Sequence, residues 1–223
     1  MSNDDSTFIR EVNEELRSDA LKAFWQRWRF LIIGLAILII VGTAAERGWE
    51  YWRNVTAARS GDQYLVALEL ARQGKNEEAL AAFNALEEEG HGAYPVLARM
   101  RAATVTAEEG DKEAAARAFL AIAQDSGVAD SVRDVARVRA GYLLVDTGSY
   151  EAASAAVELL AVPGHAYRHS AREILGLAAF QVQELARARD WFAEILSDDE
   201  SPANISRRAQ IMLDLITARL PQS

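Results

Sequence analysis

The chain has 223 residues and carries 24 Lys and Arg against 33 Asp and Glu, a net charge of −9 at neutral pH. That sign speaks against a nucleic-acid partner, and the lack of cysteine excludes disulfides, thiolate catalysis and Cys-ligated zinc without fixing the compartment. Half of the residues are hydrophobic and alanine is frequent, a composition that suits close-packed helices in one well-buried globular or solenoid domain.

Met1 to Ser6 is polar and reads as unstructured. From Thr7 the apolar residues Phe8, Ile9, Val12, Leu16, Ala20 and Phe24 recur at helical spacing and predict an amphipathic helix in a tail of residues 1–29. The acids Glu11, Glu14, Glu15 and Asp19 make it a poor ligand for an anionic membrane surface. Two readings remain for it, a contact for a protein on the inner side or a lead-in helix resting on the interface.

Phe30 to Ala45 holds no charge and is flanked by Trp25 and Trp28 on one side and by Trp49, Tyr51 and Trp52 on the other, the pattern of an aromatic belt. Trp28 and Trp49 stand about 21 residues apart, roughly 31 Å along a helix, close to the thickness of a hydrocarbon core. Residues 30–54 therefore read as a membrane-spanning anchor, with Arg27, Arg29 and Arg47 placed to snorkel. A cleavable signal peptide, with Thr43 and Ala45 as the small-residue site, competes with this reading. Against it stands a long leading region with six acids and five bases. A buried core helix is the third reading, and it has no reason to place tryptophans and arginines at both ends. The flanking bases are nearly balanced, Arg17, Lys22, Arg27 and Arg29 against Arg47, Arg53 and Arg59. A short tail before one span and residues 55–223 after it favour a cytoplasmic N-terminus and an exported C-terminal domain.

From Val55 onward acids outnumber bases 25 to 17, and the chain repeats itself. Gly74-Lys75-Asn76-Glu77-Glu78-Ala79 is followed four residues later by Phe83, and Gly110-Asp111-Lys112-Glu113-Ala114-Ala115 at the same interval by Phe119. Gly148 to Ala153 leads to Val157, and Gln183 to Ala188 leads to Phe192. The starts lie 36, 38 and 35 residues apart, the period of a tetratricopeptide array with small loop extensions. Each unit needs a turn between antiparallel helices, a small residue where the helices approach and a large one a turn later. Ala98-Arg99, Ala136-Arg137 and Ala171-Arg172 recur in phase, followed by Ala103, Gly141 and Gly176. The predicted fold is all-α, one N-terminal transmembrane helix followed by an α-solenoid of about four helix pairs. A cap helix closes it, with Ser201 as N-cap, Pro202 in the first turn, an apolar stripe of Ile205, Ala209, Met212, Leu213 and Ile216, and Pro221 as its stop. Ala209-Gln210 marks it as the orphaned first helix of a fifth unit.

The combination of tail, span and degenerate array resembles the YfgM family of ancillary SecYEG translocon subunits. FIREVNEELR, ARVRAGYLLVDTGSYEAA and AREILGLAAFQVQELARARDWFAEIL look like its alphaproteobacterial members. The resemblance covers nearly the whole chain, and its departures from the repeat pattern fall at Val157 and Gln183. It implies a single-pass protein of the bacterial inner membrane, with the repeat domain in the periplasm, bound to the SecYEG channel and to periplasmic chaperones during protein export. An envelope scaffold for cell division or peptidoglycan synthesis would use the same anchor and groove.

No catalytic, cofactor or metal site is expected. His165 and His169 have the i,i+4 spacing of zinc ligands but no third ligand at an established distance, and read as the start of a helix. Glu87-Glu88-Glu89 reads as a solvated run in an inter-repeat loop. The expected interaction surface is the concave face, lined by the first helix of each unit. Its candidates are Tyr64 and Leu68, then Leu97, Met100 and Thr104, then Val138 and Tyr142, then Leu177 and Phe180. Such an apolar groove suits an extended or helical segment of a protein partner, unless the cap helix or tight superhelical closure buries it. Arg99, Arg137 and Arg172 either pair with acids of their own unit or form a basic ladder for an acidic partner.

Overall fold

The computed structural model describes residues 4–147 and 149–219, with side chains from Trp25 onward apart from residues 26 and 32. These residues form nine α-helices and one 3-10 turn, with no strand among them. The chain divides into two compact units, Met1–Val55 and Thr56–Ser223. Helix α1 (Asp4–Arg72) contributes to both.

In the first unit α1 begins at Asp4, inside the stretch read as unstructured. Acids there suit the partial positive charge of a helix N-terminus. The side chains of the stripe from Phe8 to Phe24 lie outside the described residues. Every described residue from Arg27 to Trp49 is exposed, Leu38 at 69 %. That removes the core-helix reading, because a core helix is covered by its own chain. Arg27–Arg72 contains a helix long and apolar enough to cross a membrane by length and composition, its most apolar window reaching a mean hydropathy of 2.2. Thr43 donates its hydroxyl to the Ile39 carbonyl at 2.8 Å, so the polar group of this run is satisfied within its own helix.

In the second unit the C-terminal part of α1 packs on α2 (Asn76–Glu89) through a cluster that includes Ala67, Ala79 and Phe83. Helix α3 (Tyr94–Glu108) pairs with α4 (Lys112–Gln124), α5 (Asp130–Val145) with α6 (Tyr150–Val157), and α7 (Arg168–Gln181) with α8 (Leu185–Leu196). Helix α9 (Ala203–Arg219) packs on α8 and α7. The repeat register is visible in the cores. Ala79, Ala115, Ala153 and Ala188 are fully buried, and so, to within 2 %, are Phe83, Phe119, Val157 and Phe192 four residues on. The small residue that receives the large one sits on the first helix. A Cβ on Gly141 would lie 2.6 Å from Val157 Cγ1, and one on Gly176 would lie 2.8 Å from the Phe192 ring.

The turns repeat as well. Gly74 and Gly110 take φ of 74° and 100°, and Gln183 takes the same left-handed conformation at φ 62° without being glycine. Gly148 lies outside the described residues. The third pair departs most, since α6 ends at Val157 and a 3-10 turn (Glu158–Leu160) carries the chain on. Val157 fills the aromatic's place only partly, and fully buried Leu160 packs in the same cluster.

Three local expectations change. Glu87, Glu88 and Glu89 are the last residues of α2, not a loop, because the helix runs on to its C-cap at Gly90. His165 precedes α7 while His169 lies in its first turn, so the two do not share a helix face; Gly164 at φ 82° turns the chain between Pro163 and the helix. In α9 the Pro202 carbonyl accepts from the Ile205 and Ser206 amides. Ser201 instead accepts from the Ser206 hydroxyl at 2.9 Å, and the helix starts one residue later than its sequence signal. The predicted stop at Pro221 lies outside the described residues.

Helix α9 keeps the register of a first helix. Ala209 and Ile216 are fully buried against α8. The position five residues after Ala209, glycine in α5 and α7, is Asp214, which accepts from Gln210 at 2.8 Å. Asp214 is exposed, whereas Gly141 and Gly176 at that position face a large side chain of the second helix.

Candidate protein-interaction face

The first helices present a common register to the open face, at positions shortly before and after Ala98, Ala136, Ala171 and Ala209. The nine residues expected there do not form one groove. Tyr64 stacks between the rings of Phe83 and Tyr94, with centroids 5.7 and 5.9 Å away, while Leu68 and Met100 lean on the cores. Phe180 lies 5.0 Å under the Arg219 guanidinium. Leu97 and Tyr142 are the exposed members, at 41 % and 38 %.

Two clefts open on this face. The first, about 410 Å³, lies between α3 and α5 over the Phe119 ring, and is lined by Thr104, Ala107, Val138, Arg139, Tyr142 and Leu143. The second, about 420 Å³, is lined by Tyr142, Glu173, Leu177, Arg208, Ile211 and Met212. Tyr142 belongs to both. Tyr64, Leu68, Leu97, Met100 and Phe180 line neither. The cap helix therefore walls one end of the face and adds to it, with Ile211 59 % exposed. Arg208 and Ile211 stand one residue before and two after Ala209, so extending the Ala98 register into α9 is the signal that finds them.

Polar chemistry in the second cleft is closed on itself. Glu173, buried on α7, accepts two hydrogen bonds from Arg208 at 2.5 and 2.7 Å and a third from the Tyr142 hydroxyl at 2.8 Å. Burial, the Glu173 charge and that hydrogen bond together push the Tyr142 phenol far above its ordinary value of 10, so it stays a donor. The three residues tie α5, α7 and α9 together. No sequence motif pointed to Glu173.

The arginines beside the register alanines are structural. Arg99 pairs with Asp125 at 2.6 Å and reaches Glu87 at 3.4 Å; Arg137 donates to the Ala123 carbonyl at 3.4 Å, and Arg172 to the Ala161 carbonyl at 3.2 Å. Each thus meets the end of the preceding second helix, where carbonyls lack helical partners. Arg99 and Arg172 also bind an acid that follows their own second helix, Asp125 and Asp198.

Around Asp198 this staple grows into a cluster. Arg168 donates to both Asp198 oxygens at 2.7 and 3.2 Å, and His169 Nε2 lies 2.9 Å from Oδ2. Hydrogen bonds from Arg168, foremost, hold the Asp198 carboxyl well below its ordinary value of 3.8. Arg168, His169 and Arg172 are buried, and the cluster fixes the loop after α8 onto α7. Among the described residues no group of three His, Asp or Glu stands where it could hold a metal ion.

A face of paired first helices, closed off by an orphan first helix, matches what a search for related families finds. A family model described as a tetratricopeptide repeat-like domain matches residues 22–218. The chain belongs to that family. No curated protein matches it. Tetratricopeptide repeat-like domains generally act as protein-interaction modules, and the two clefts are the hollows of this array's first-helix face.

Proposed function

We propose that the protein is a single-pass anchored subunit of the protein-secretion machinery, with its tetratricopeptide array outside the cytoplasm and its partners the SecYEG channel and periplasmic chaperones. The observation that carries the proposal is one exposed apolar helix between tryptophan belts in the same chain as an array with an apolar first-helix face. Trp25 and Trp28 on one side and Trp49 and Trp52 on the other are exposed, and Trp49 and Trp52 stack at 5.4 Å, as residues of the two membrane interfaces would be. The Arg29 guanidinium lies 4.8 Å over the Phe30 ring, a cation covering the edge of the apolar run. By this reading residues 1–29 are a cytoplasmic tail, residues 30–54 the anchor and residues 55–223 the exported interaction domain.

Crosslinking in intact cells followed by purification is the test. Channel subunits should dominate the products, whereas division or peptidoglycan-synthesis proteins in their place would make the chain an envelope scaffold. A reporter active only outside the cytoplasm, fused after Ser223, should work, and high salt should leave the protein in the membrane pellet. A shortened form released into the wash would mean that the apolar run is a cleaved signal. Replacing Leu97 and Ile211 by Asp should abolish the crosslinks while circular dichroism stays helical, since both side chains are exposed and neither holds the core. Tyr142 is a poorer probe, because Asp there would face Glu173.

A further inference from the structure

The first unit departs from the register of the others on its outer side. Ala98, Ala136 and Ala171 lie 17 residues before the buried alanine of their own second helix, and each is fully buried in a cluster with the preceding second helix. Asp62 holds that position in α1 and is exposed. The next position, Arg99, Arg137 and Arg172 in the later units, is Gln63. Four residues after the register position Ala140 and Leu175 are fully buried, whereas Val66 is 60 % exposed. Helix α1 comes into the array from the apolar run, so among the described residues no second helix stands before it to cover this side. An acid is left over as well. Glu89 lies ten residues after Ala79, as Asp125 lies after Ala115 and Asp198 after Ala188, and those two aspartates are bound by Arg99 and by Arg172. With glutamine in place of the arginine that staple is not made, and among the described residues neither Glu89 nor Asp62 forms an ion pair. Both acids line one groove of about 340 Å³ between α1 and α2, with Val66, Ala82, Ala85 and Leu86 as its apolar part.

We propose that this groove seats an amphipathic helix of a partner protein, placed as a second helix would be before α1, with an arginine that meets Asp62 and Glu89. It is a surface separate from the first-helix face. Repeat geometry decides that the occupant is a helix, because α2, α4 and α6 cover the same side of α3, α5 and α7. Ala82 and Ala85 present small side chains that let a helix approach closely. Charge complementarity decides its class. Two carboxylates without an internal base, beside an apolar groove, match the planar fork of a guanidinium, whereas an acidic helix would be repelled. The arginine would then stand where Arg99 stands one unit on, between Glu87 of the preceding second helix and Asp125. A second copy of this chain related by a two-fold axis would set Asp62 and Glu89 against the same acids, so it is the poorer occupant. A terminal unit that served solubility alone would be polar on this side, yet Val66 and its neighbour Leu65 are both exposed.

Fluorescence anisotropy on the full chain in neutral detergent tests this with a helical alanine and leucine peptide that carries two arginines four residues apart beside its leucine stripe. The same peptide with glutamine at both positions is the comparison. The arginine peptide should bind at least about tenfold more tightly, and should lose that margin as salt rises and in Asp62→Asn with Glu89→Gln. Val66→Asn should weaken both peptides. These side chains are exposed, so circular dichroism of the variants should stay helical. Exposed Glu151→Gln on α6 should leave binding as it was, and so should Leu97→Asp with Ile211→Asp, which alters the first-helix face alone. No binding of the arginine peptide, equal affinity for the two peptides, or a margin that survives the loss of both acids overturns the proposal. Binding lost in the Leu97 and Ile211 variant would place the peptide on the first-helix face and overturn it too. Self-association of the chain that is abolished by Asp62→Asn with Glu89→Gln would put a second copy in the groove, and that result also overturns it.

Discussion

The second helix pair and the fourth do the same job by different means. In α3 and α4 the local signals are strong, with Gly110 in the left-handed turn, Asp111 capping α4 by accepting from Ala114 at 2.9 Å, and an exposed α4 N-terminal turn. In α7 and α8 they are weak, with Gln183 forced into the left-handed region and Glu184 as an N-cap without a side-chain bond. Yet α7 is the most enclosed helix of the array, buried from Arg168 to Gly176 apart from Ser170 and packed on α5, α6, α8 and α9. A unit at the centre of many contacts tolerates poor local chemistry, because burial stabilises it from all sides.

The largest effect should come from the feature the two pairs share. Phe119→Ala and Phe192→Ala should each destabilise the chain by about 3 to 5 kcal/mol, read as the urea midpoint by circular dichroism. If the two differed widely, the large residue would not be the common core element. Acid should separate the pairs next. Asp198 has its pKa lowered in the folded state, so its contribution is present above the ordinary carboxylate value of 3.8 and is lost as pH falls below it, where the unfolded chain takes up the proton first. Asp125 is lowered in the same direction, chiefly by Arg99. Asp198→Asn should flatten the acid limb of the melting curve more than Asp125→Asn, since Asp198 faces three cationic or protonatable partners. The reverse order would place the stronger staple in the second pair.

Smaller effects probe the turns. Asp111→Ala should cost about 1 kcal/mol through the lost cap, whereas Glu184→Ala should cost almost nothing. Gln183→Gly should stabilise the chain by about 0.5 to 1 kcal/mol, read as a higher urea midpoint, because glycine adopts a positive φ without a Cβ penalty. A loss on that substitution would mean that the Gln183 side chain has a role beyond the turn.

How much of this was legible follows from the range of each interaction. The helix pairs, their register and the orphan cap are set by spacing along the chain, and Ala79, Phe83, Ala209 and Gln210 could be placed by counting. The apolar run is equally a property of contiguous residues. The interaction face was legible only as a register. Which of its members stay exposed, that Tyr64 is held between two rings and that Tyr142 serves two clefts depend on other helices, well outside the local sequence. The same holds for Glu173 with Arg208, and for Asp198 with three residues of α7. A carboxylate's partner is chosen by where two helices approach, and nothing in the local sequence of α7 names α9. The sequence by itself determined a helical repeat behind an apolar helix, because periodic burial needs only periodic residues. The tertiary structure alone decided that Arg99, Arg137 and Arg172 hold the array together while Arg139, two residues beyond Arg137, lines an open cleft, because a shift of a fraction of a helical turn moves a guanidinium from a helix end to the open face.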